Sequence, residues 1–267
     1  MIPPQRIEAL RRLALDAATA EVVRALSGAG ITSILIKGAA IAAWLYDDPS
    51  QRSYCDADLL IEPERFDRAE AVLRELGFDD PMARAHPDER TVHASTWSRT
   101  QPLPGTIDLH RCLYWCADDP ELLWRELSVG TGAMTIAGAE VQTLSAAAQL
   151  LVIAAHAVQH GEHPQPLEDL ERAVRRAERG QWEGAARIAL ALGAPEVLDA
   201  GLRRCSLGRE LAGWLDLPQA TSTLMQLRIA GARPTSAGFE RLARTRSPRE
   251  ALALLARELC PSPAFMR

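Results

Sequence analysis

Every strand-like stretch of this sequence lies before residue 145, and after it the apolar residues recur only at helical spacing. That division predicts an α+β fold. Residues 1–144 would form one domain, a small mixed sheet flanked by helices. Residues 145–267 would form an all-helical second domain. A chain of 267 residues has room for one or two such units.

The elements follow from pattern and punctuation. Apolar residues from Ile7 to Leu26 recur at helical spacing, and "SGAG" ends that helix. "ITSILI" is short, β-branched and apolar, which predicts a buried strand. "GAAIAAWLY" predicts a buried helix directly after it, "DDPSQR" a loop, and "DADLLIEP" a second strand. "PERFDRAEAVLRELG" is an amphipathic helix with Pro63 near its first turn and Gly77 past its end. "RTVHASTWSRT" and "TIDLHRCLYW" predict two strands joined through "QPLPG", and "GAMTIAGAEVQTL" a small hairpin around Ala137–Gly138. A short helix fits "DDPELLWREL". Further helices are expected at 145–160, 166–179, 181–192, 195–204, 208–216, 219–231, 235–245 and 247–259.

The net charge of −5 gives no general basic character of the kind that nucleic-acid binding needs. Residues 201–267 are the exception, with 11 arginines against 5 acidic residues. That excess suits an acidic or phosphorylated partner, or a solvated helical face. The N-terminus lacks a secretory apolar core, and no stretch reaches the roughly 18 apolar residues of a membrane span. Five scattered cysteines fit a reducing cytoplasm better than a disulfide framework.

Three carboxylates and one lysine carry the chemistry. Asp56 and Asp58 are two apart in a strand-like segment, so both point to one face. Like charges held that close need a cation between them, and hard divalent ions take oxygen ligands. Solvated acids at a strand end are the alternative. Asp108 lies between Ile107 and Leu109 and shares a face with His110. If its strand lies beside residues 57–61, it completes a three-acid cluster; otherwise it is an edge-strand aspartate. Lys37 is the only lysine in a chain whose other 29 basic residues are arginine. A lone ammonium at the mouth of a helix suits a phosphate oxygen, helped by the N–H of Gly38. Chance survival of one lysine is the alternative. Arg52 is a second phosphate candidate, or a solvated loop arginine.

These residues in this order resemble the nucleotidyltransferase superfamily with its DNA polymerase beta-like fold. The span "LIKGAAIAAWLYDDPSQRSYCDADLLI" resembles, more narrowly, the bacterial branch of uncharacterised nucleotidyltransferase family proteins. The likeness rests on Lys37–Gly38, Leu45–Tyr46, Pro49, Arg52, Asp56, Asp58, Asp108, His110, His156 and His160. The wider superfamily usually has glycine–serine where this chain has Lys37–Gly38 followed by alanines. The resemblance implies Mg²⁺-dependent transfer of a nucleoside monophosphate from an NTP, ATP by preference, to a hydroxyl or similar acceptor. Asp56, Asp58 and Asp108 would hold two Mg²⁺ ions, and Lys37, Gly38 and Arg52 the phosphates. His110, His156 and His160 would face the cleft.

Rival readings stay open on the sequence. A degenerate nucleotide- or partner-binding module has the same residues, as does a kinase-like phosphotransferase. The acceptor is a small molecule or peptide by preference, with RNA as a variant motivated by the basic C-terminal region. His156 and His160 share a helical face near His163 and Asp169, but the spacing is not H-E-x-x-H and no zinc set is complete. No glycine-rich dinucleotide or Walker loop is present.

Overall fold

The computed structural model describes residues 3–81, 93–116, 119–160 and 163–220, with a few single positions between 226 and 255. The helices expected at 219–231, 235–245 and 247–259, and most of the arginine-rich C-terminal region, lie outside the described residues.

The long helix α1 (Pro4–Gly28) starts on a proline, whose fixed φ suits the first helical position, and ends before Gly30 at φ 72°. Strand β1 (Ser33–Leu35) is fully buried and leads into α2 (Ala39–Leu45). Then follow β2 (Ala57–Ile61), α3 (Phe66–Glu75), β3 (Ala94–Arg99) and β4 (Gly105–His110). After α4 (Pro120–Leu127) come β5 (Gly132–Ile136) and β6 (Ala139–Thr143). The remaining described helices are α5 (Ala146–Gln159), α6 (Pro164–Arg176), α7 (Arg179–Ala191), α8 (Pro195–Leu202) and α9 (Ser206–Trp214).

The six strands form one mixed sheet in the order β3-β4-β2-β1-β6-β5. The two expected hairpins are both antiparallel pairs, β3 with β4 and β5 with β6. The second turns through Ala137 at φ 43° and Gly138 at φ 75°, the two positive φ values that a two-residue hairpin turn requires. Strands β1 and β6, and β2 and β4, run parallel, so each pair needs a long crossover.

Side-chain alternation sorts the core into two layers. Leu35, Leu59, Ile61, Ile107 and Leu109 pack with α1 and α3 on one face of the sheet. On that side Gly105 lets β4 approach α1 closely, because an added Cβ would meet Ala18 Cβ at 2.9 Å. Ile34, Ile36 and Leu60 pack on the other face with α2, α4 and the helices after residue 145. The apolar core therefore runs without a break across residue 144, from Ile36 to Leu151 and Leu198. Burying a leucine or isoleucine in such a layer contributes roughly 1.5–3 kcal/mol, which makes this layer a large share of the folding drive.

Candidate active site

Parallel pairing of β2 with β4 sets Asp58 directly opposite Asp108. The apolar neighbours Leu59, Ile107 and Leu109 point to the α1–α3 layer. Asp58, Asp108 and His110 consequently emerge on the opposite face, the one that α5 covers. Two carboxylates side by side under a helical layer are tolerable only with cationic partners.

Those partners are present. Beyond β1 the Ile36 N–H donates to Asp58 O at 3.0 Å, which extends the pairing by one residue and delivers Lys37 to the carboxylate. Lys37 Nζ donates to Asp58 Oδ1 at 2.7 Å, and His110 Nε2 lies 2.9 Å from the same oxygen. The chain then turns sharply at Gly38, with φ 58° and ψ −117°. A Cβ there would lie 3.2 Å from the carbonyl of Asp56, so the turn and the close approach both call for glycine.

The electrostatics follow from these contacts. Burial opposes the Asp58 charge, but the Lys37 ammonium and the His110 hydrogen bond outweigh it and hold the carboxyl well below its usual range. Burial likewise opposes the Lys37 charge, and Asp58 more than compensates, so the lysine pKa is raised. Asp56, without a cation of its own, is pushed up to about 6 by burial and by Asp58 and Asp108. Asp108 is raised by burial and by Asp58, against a hydrogen bond from Thr96.

One set of three potential metal ligands occurs among the described residues: Asp58, Asp108 and His110, with donor atoms within 4.8 Å of one another. Oδ1 of Asp108 is buried there without a hydrogen-bond partner. An orphaned carboxylate oxygen beside a second carboxylate is the donor chemistry of a hard divalent ion, so the residues fit one. Asp56 stands just before β2, outside this set, and acts on it through its charge.

Arg52 requires a correction. Its sequence context suits it to a phosphate or to solvent, but it is 4% exposed and its donors are engaged inside the protein. Its Nε and Nη2 bond Asp169 at 2.8–3.0 Å, and its Nη1 donates to Gly38 O at 3.1 Å. A guanidinium committed in this way is a linker, not a phosphate clamp. His156 is half-buried on α5, with its ring centroid 4.8 Å from that of His160, which is exposed. Burial and the Lys37 charge push His156 down to about 3 and lower His160 as well. The charges of Lys37 and Asp58 act on both imidazoles, and the lowered pKa leaves His156 neutral at physiological pH. The zinc alternative has no counterpart among the described residues, where Asp169 is taken by Arg52 and by Tyr46 Oη at 2.8 Å.

The role of Asp169 is the residue-level feature the sequence reading missed. Its signal was legible: on α6 the buried positions are Pro166, Asp169, Leu170 and Ala173, so a charge sits in the apolar stripe. A charge there needs a buried partner.

A family model described as "Uncharacterised nucleotidyltransferase" matches residues 5–207. No curated protein matches. Among solved structures, the chain is similar to the antibiotic-resistance factor ANT(2'')-Ia in solution, with 15% identity, a TM-score of 0.44, and coverage of 67% of this chain and 91% of that one. A crystal structure of ANT(2")-Ia in complex with adenylyl-2"-tobramycin gives 16% identity, a TM-score of 0.43, and coverage of 67% and 94%. An antigenic nucleotidyltransferase-like protein from Paracoccidioides brasiliensis gives 16% identity, a TM-score of 0.41, and coverage of 68% and 93%.

Proposed function

The chain belongs to the uncharacterised nucleotidyltransferase family, and from that premise we propose that it moves a nucleoside monophosphate from an NTP to a hydroxyl or similar acceptor, releasing pyrophosphate. The observation that carries this reading is the register of Asp58 on Asp108, with Lys37 on the same carboxylate.

In this reading Asp58 and Asp108 hold Mg²⁺, the ion that suits carboxylate oxygens and triphosphates. Bound there, the ion would supply positive charge to the phosphate oxygens in flight. His110 keeps Asp58 aimed through its 2.9 Å contact, and Asp56 adds negative charge at the rim. Asp108, with its unpartnered Oδ1 and raised pKa, receives the acceptor's proton. Lys37 steadies phosphate oxygens as a compact point charge, and the Gly38 turn lets the backbone come close. Such chemistry is mostly positioning and charge stabilisation, so few side chains suffice.

ATP is the donor we favour, and a small molecule or peptide the acceptor, with RNA as the variant. A reducing cytoplasm is the compartment we favour. No helix among the described residues is long and apolar enough to cross a membrane.

One observation favours a second reading. Asp58 Oδ1 already receives both Lys37 and His110, so that oxygen is partnered without a metal, as a nucleotide-binding module without turnover would have it. A thermal-shift panel separates the two readings: ATP, GTP, CTP and UTP, each with and without Mg²⁺, on wild type and Asp58→Asn. A Mg²⁺-dependent shift with one nucleotide, lost in the variant, supports transfer. A shift indifferent to Mg²⁺ and to the substitution supports the module.

A further inference from the structure

Asp169 sits 1% exposed on α6, in the helical half of the chain, and yet it connects to the glycine turn of the site. Both of its oxygens receive Arg52, and Oδ1 also receives the Tyr46 hydroxyl at 2.8 Å. Arg52 carries the connection on, because its Nη1 donates to Gly38 O at 3.1 Å. The same carbonyl receives the Ala42 N–H at 3.1 Å. An unbroken line of contacts thus runs from α6 through Arg52 to the residue beside Lys37.

We propose that Asp169 is a positioning residue: through Arg52 it fixes the Gly38–Ala39 peptide, and with it the placement of Lys37 on Asp58. The inference rests on the reading above for its chemistry, though its geometry stands alone. Gly38 has no Cβ, so its own torsions leave the turn free to take other wells. The peptide unit is rigid, so holding its carbonyl also fixes the opposed N–H of Ala39. A bidentate guanidinium–carboxylate pair supplies geometric definition that an apolar contact lacks. Such a buried pair adds little net stability over well-packed apolar side chains of the same volume, so placement is the better account of it.

The loop between α2 and β2 is held from the other side too. Arg12 of α1 donates to Pro49 O at 2.8 Å and to Tyr54 Oη at 3.0 Å, while Tyr54 donates to Asp16 at 2.7 Å. Among these anchors only Arg52 reaches Gly38.

The sole lysine is its own reporter. Lysine labelled with ¹³C and ¹⁵N in the tag-free chain gives NMR signals from Lys37 alone. Those signals would be recorded in wild type, Arg52→Lys (the added lysine signal being the one that survives Lys37→Arg), and the double variant Arg52→Met/Asp169→Leu, which exchanges the buried pair for apolar packing. Mn²⁺ with ATP is the binding probe, read by paramagnetic loss of the Lys37 signal. The expected result is folded variants with displaced Lys37 signals and Mn²⁺–ATP binding weakened about 10-fold or more, the scale for losing a group that orients a ligand. Folded variants whose Lys37 signals and affinity match wild type would overturn the proposal and leave the network a structural strut. Should the double variant not fold, Arg52→Lys, which keeps the buried charge but loses the fork that joins Asp169 to Gly38 O, decides in the same terms. If wild type itself does not bind Mn²⁺–ATP, the transfer reading fails, and the displacement of the Lys37 signal still decides the positioning role.

Discussion

Lys37 Nζ lies 2.7 Å from Asp58 Oδ1, the closest ion pair in the site, and the lysine stays partly open to solvent while the aspartate does not. The two groups are unequal: losing the lysine strands a buried charge, whereas losing the aspartate frees a cation that water can reach. Lys37→Met is expected to lower stability by about 2 kcal/mol, below the roughly 3–5 kcal/mol of a fully enclosed pair. Lys37→Arg is expected to restore some of that stability but not nucleotide binding, because a planar fork does not replace a compact ammonium. Chemical denaturation and a nucleotide thermal shift measure the two effects separately.

Stability against pH is expected to carry two opposed slopes. Asp56 rises from 3.8 to about 6 on folding, so between those values the folded state holds the extra proton. Its contribution improves as pH falls through 6 and is lost as pH rises. His156 moves the other way, from 6.5 to about 3, so the unfolded state holds the extra proton and stability falls as pH drops below 6.5. Melting curves from pH 4 to 7 should show Asp56→Asn gaining most at pH 7, and His156→Leu gaining most at pH 4. Equal gains at both ends would contradict the assignment.

Gly38→Ala is expected to cost about 1–3 kcal/mol from the backbone alone, because φ 58° with ψ −117° is a conformation that side-chain-bearing residues rarely adopt. The added Cβ would also press on Asp56 O at 3.2 Å, so the turn beside Lys37 has to shift. The check is a double readout, in which Tm falls by a few degrees while the Mg²⁺-dependent nucleotide shift disappears. A lower Tm with the nucleotide shift intact would mean that the turn is not part of the binding site.

Gly201→Ala tests the helical layer independently of the site. A Cβ on Gly201 would lie 2.3 Å from Ala154 O, so α8 can no longer seat against α5. Overpacking of this kind costs about 1–3 kcal/mol, and rigid backbone on the receiving side places the change at the upper end. Because α5 carries His156 and ends at His160, the variant is also expected to weaken nucleotide binding, which titration calorimetry would detect.

Much of this was legible in the chain itself. Period-two and helical spacing gave β2, the two hairpins and the helices from α5 to α9, because burial of an alternating or a striped face needs no knowledge of what covers it. The same local logic picked out Asp58, Asp108, His110 and Lys37 as unusual: charges among apolar neighbours, and one lysine among arginines. Asp56 was legible as an acid but not as standing outside the three-ligand set, since the end of a strand is settled by its partners.

Tertiary structure decided the pairings. That β4 lies parallel to β2, with Asp108 opposite Asp58, is a contact 50 residues apart that no spacing rule encodes. Arg52 shows the limit most plainly. In sequence it is a loop arginine suited to phosphate, and only the arrival of Asp169, 117 residues later, commits it to the interior. Sequence alone determined which segments become strands and helices and which polar groups need a partner, because those depend on near neighbours and on solvent. Which partner each one finds depended on how the sheet and helices pack, since a buried charge accepts whatever opposite charge the fold brings within reach.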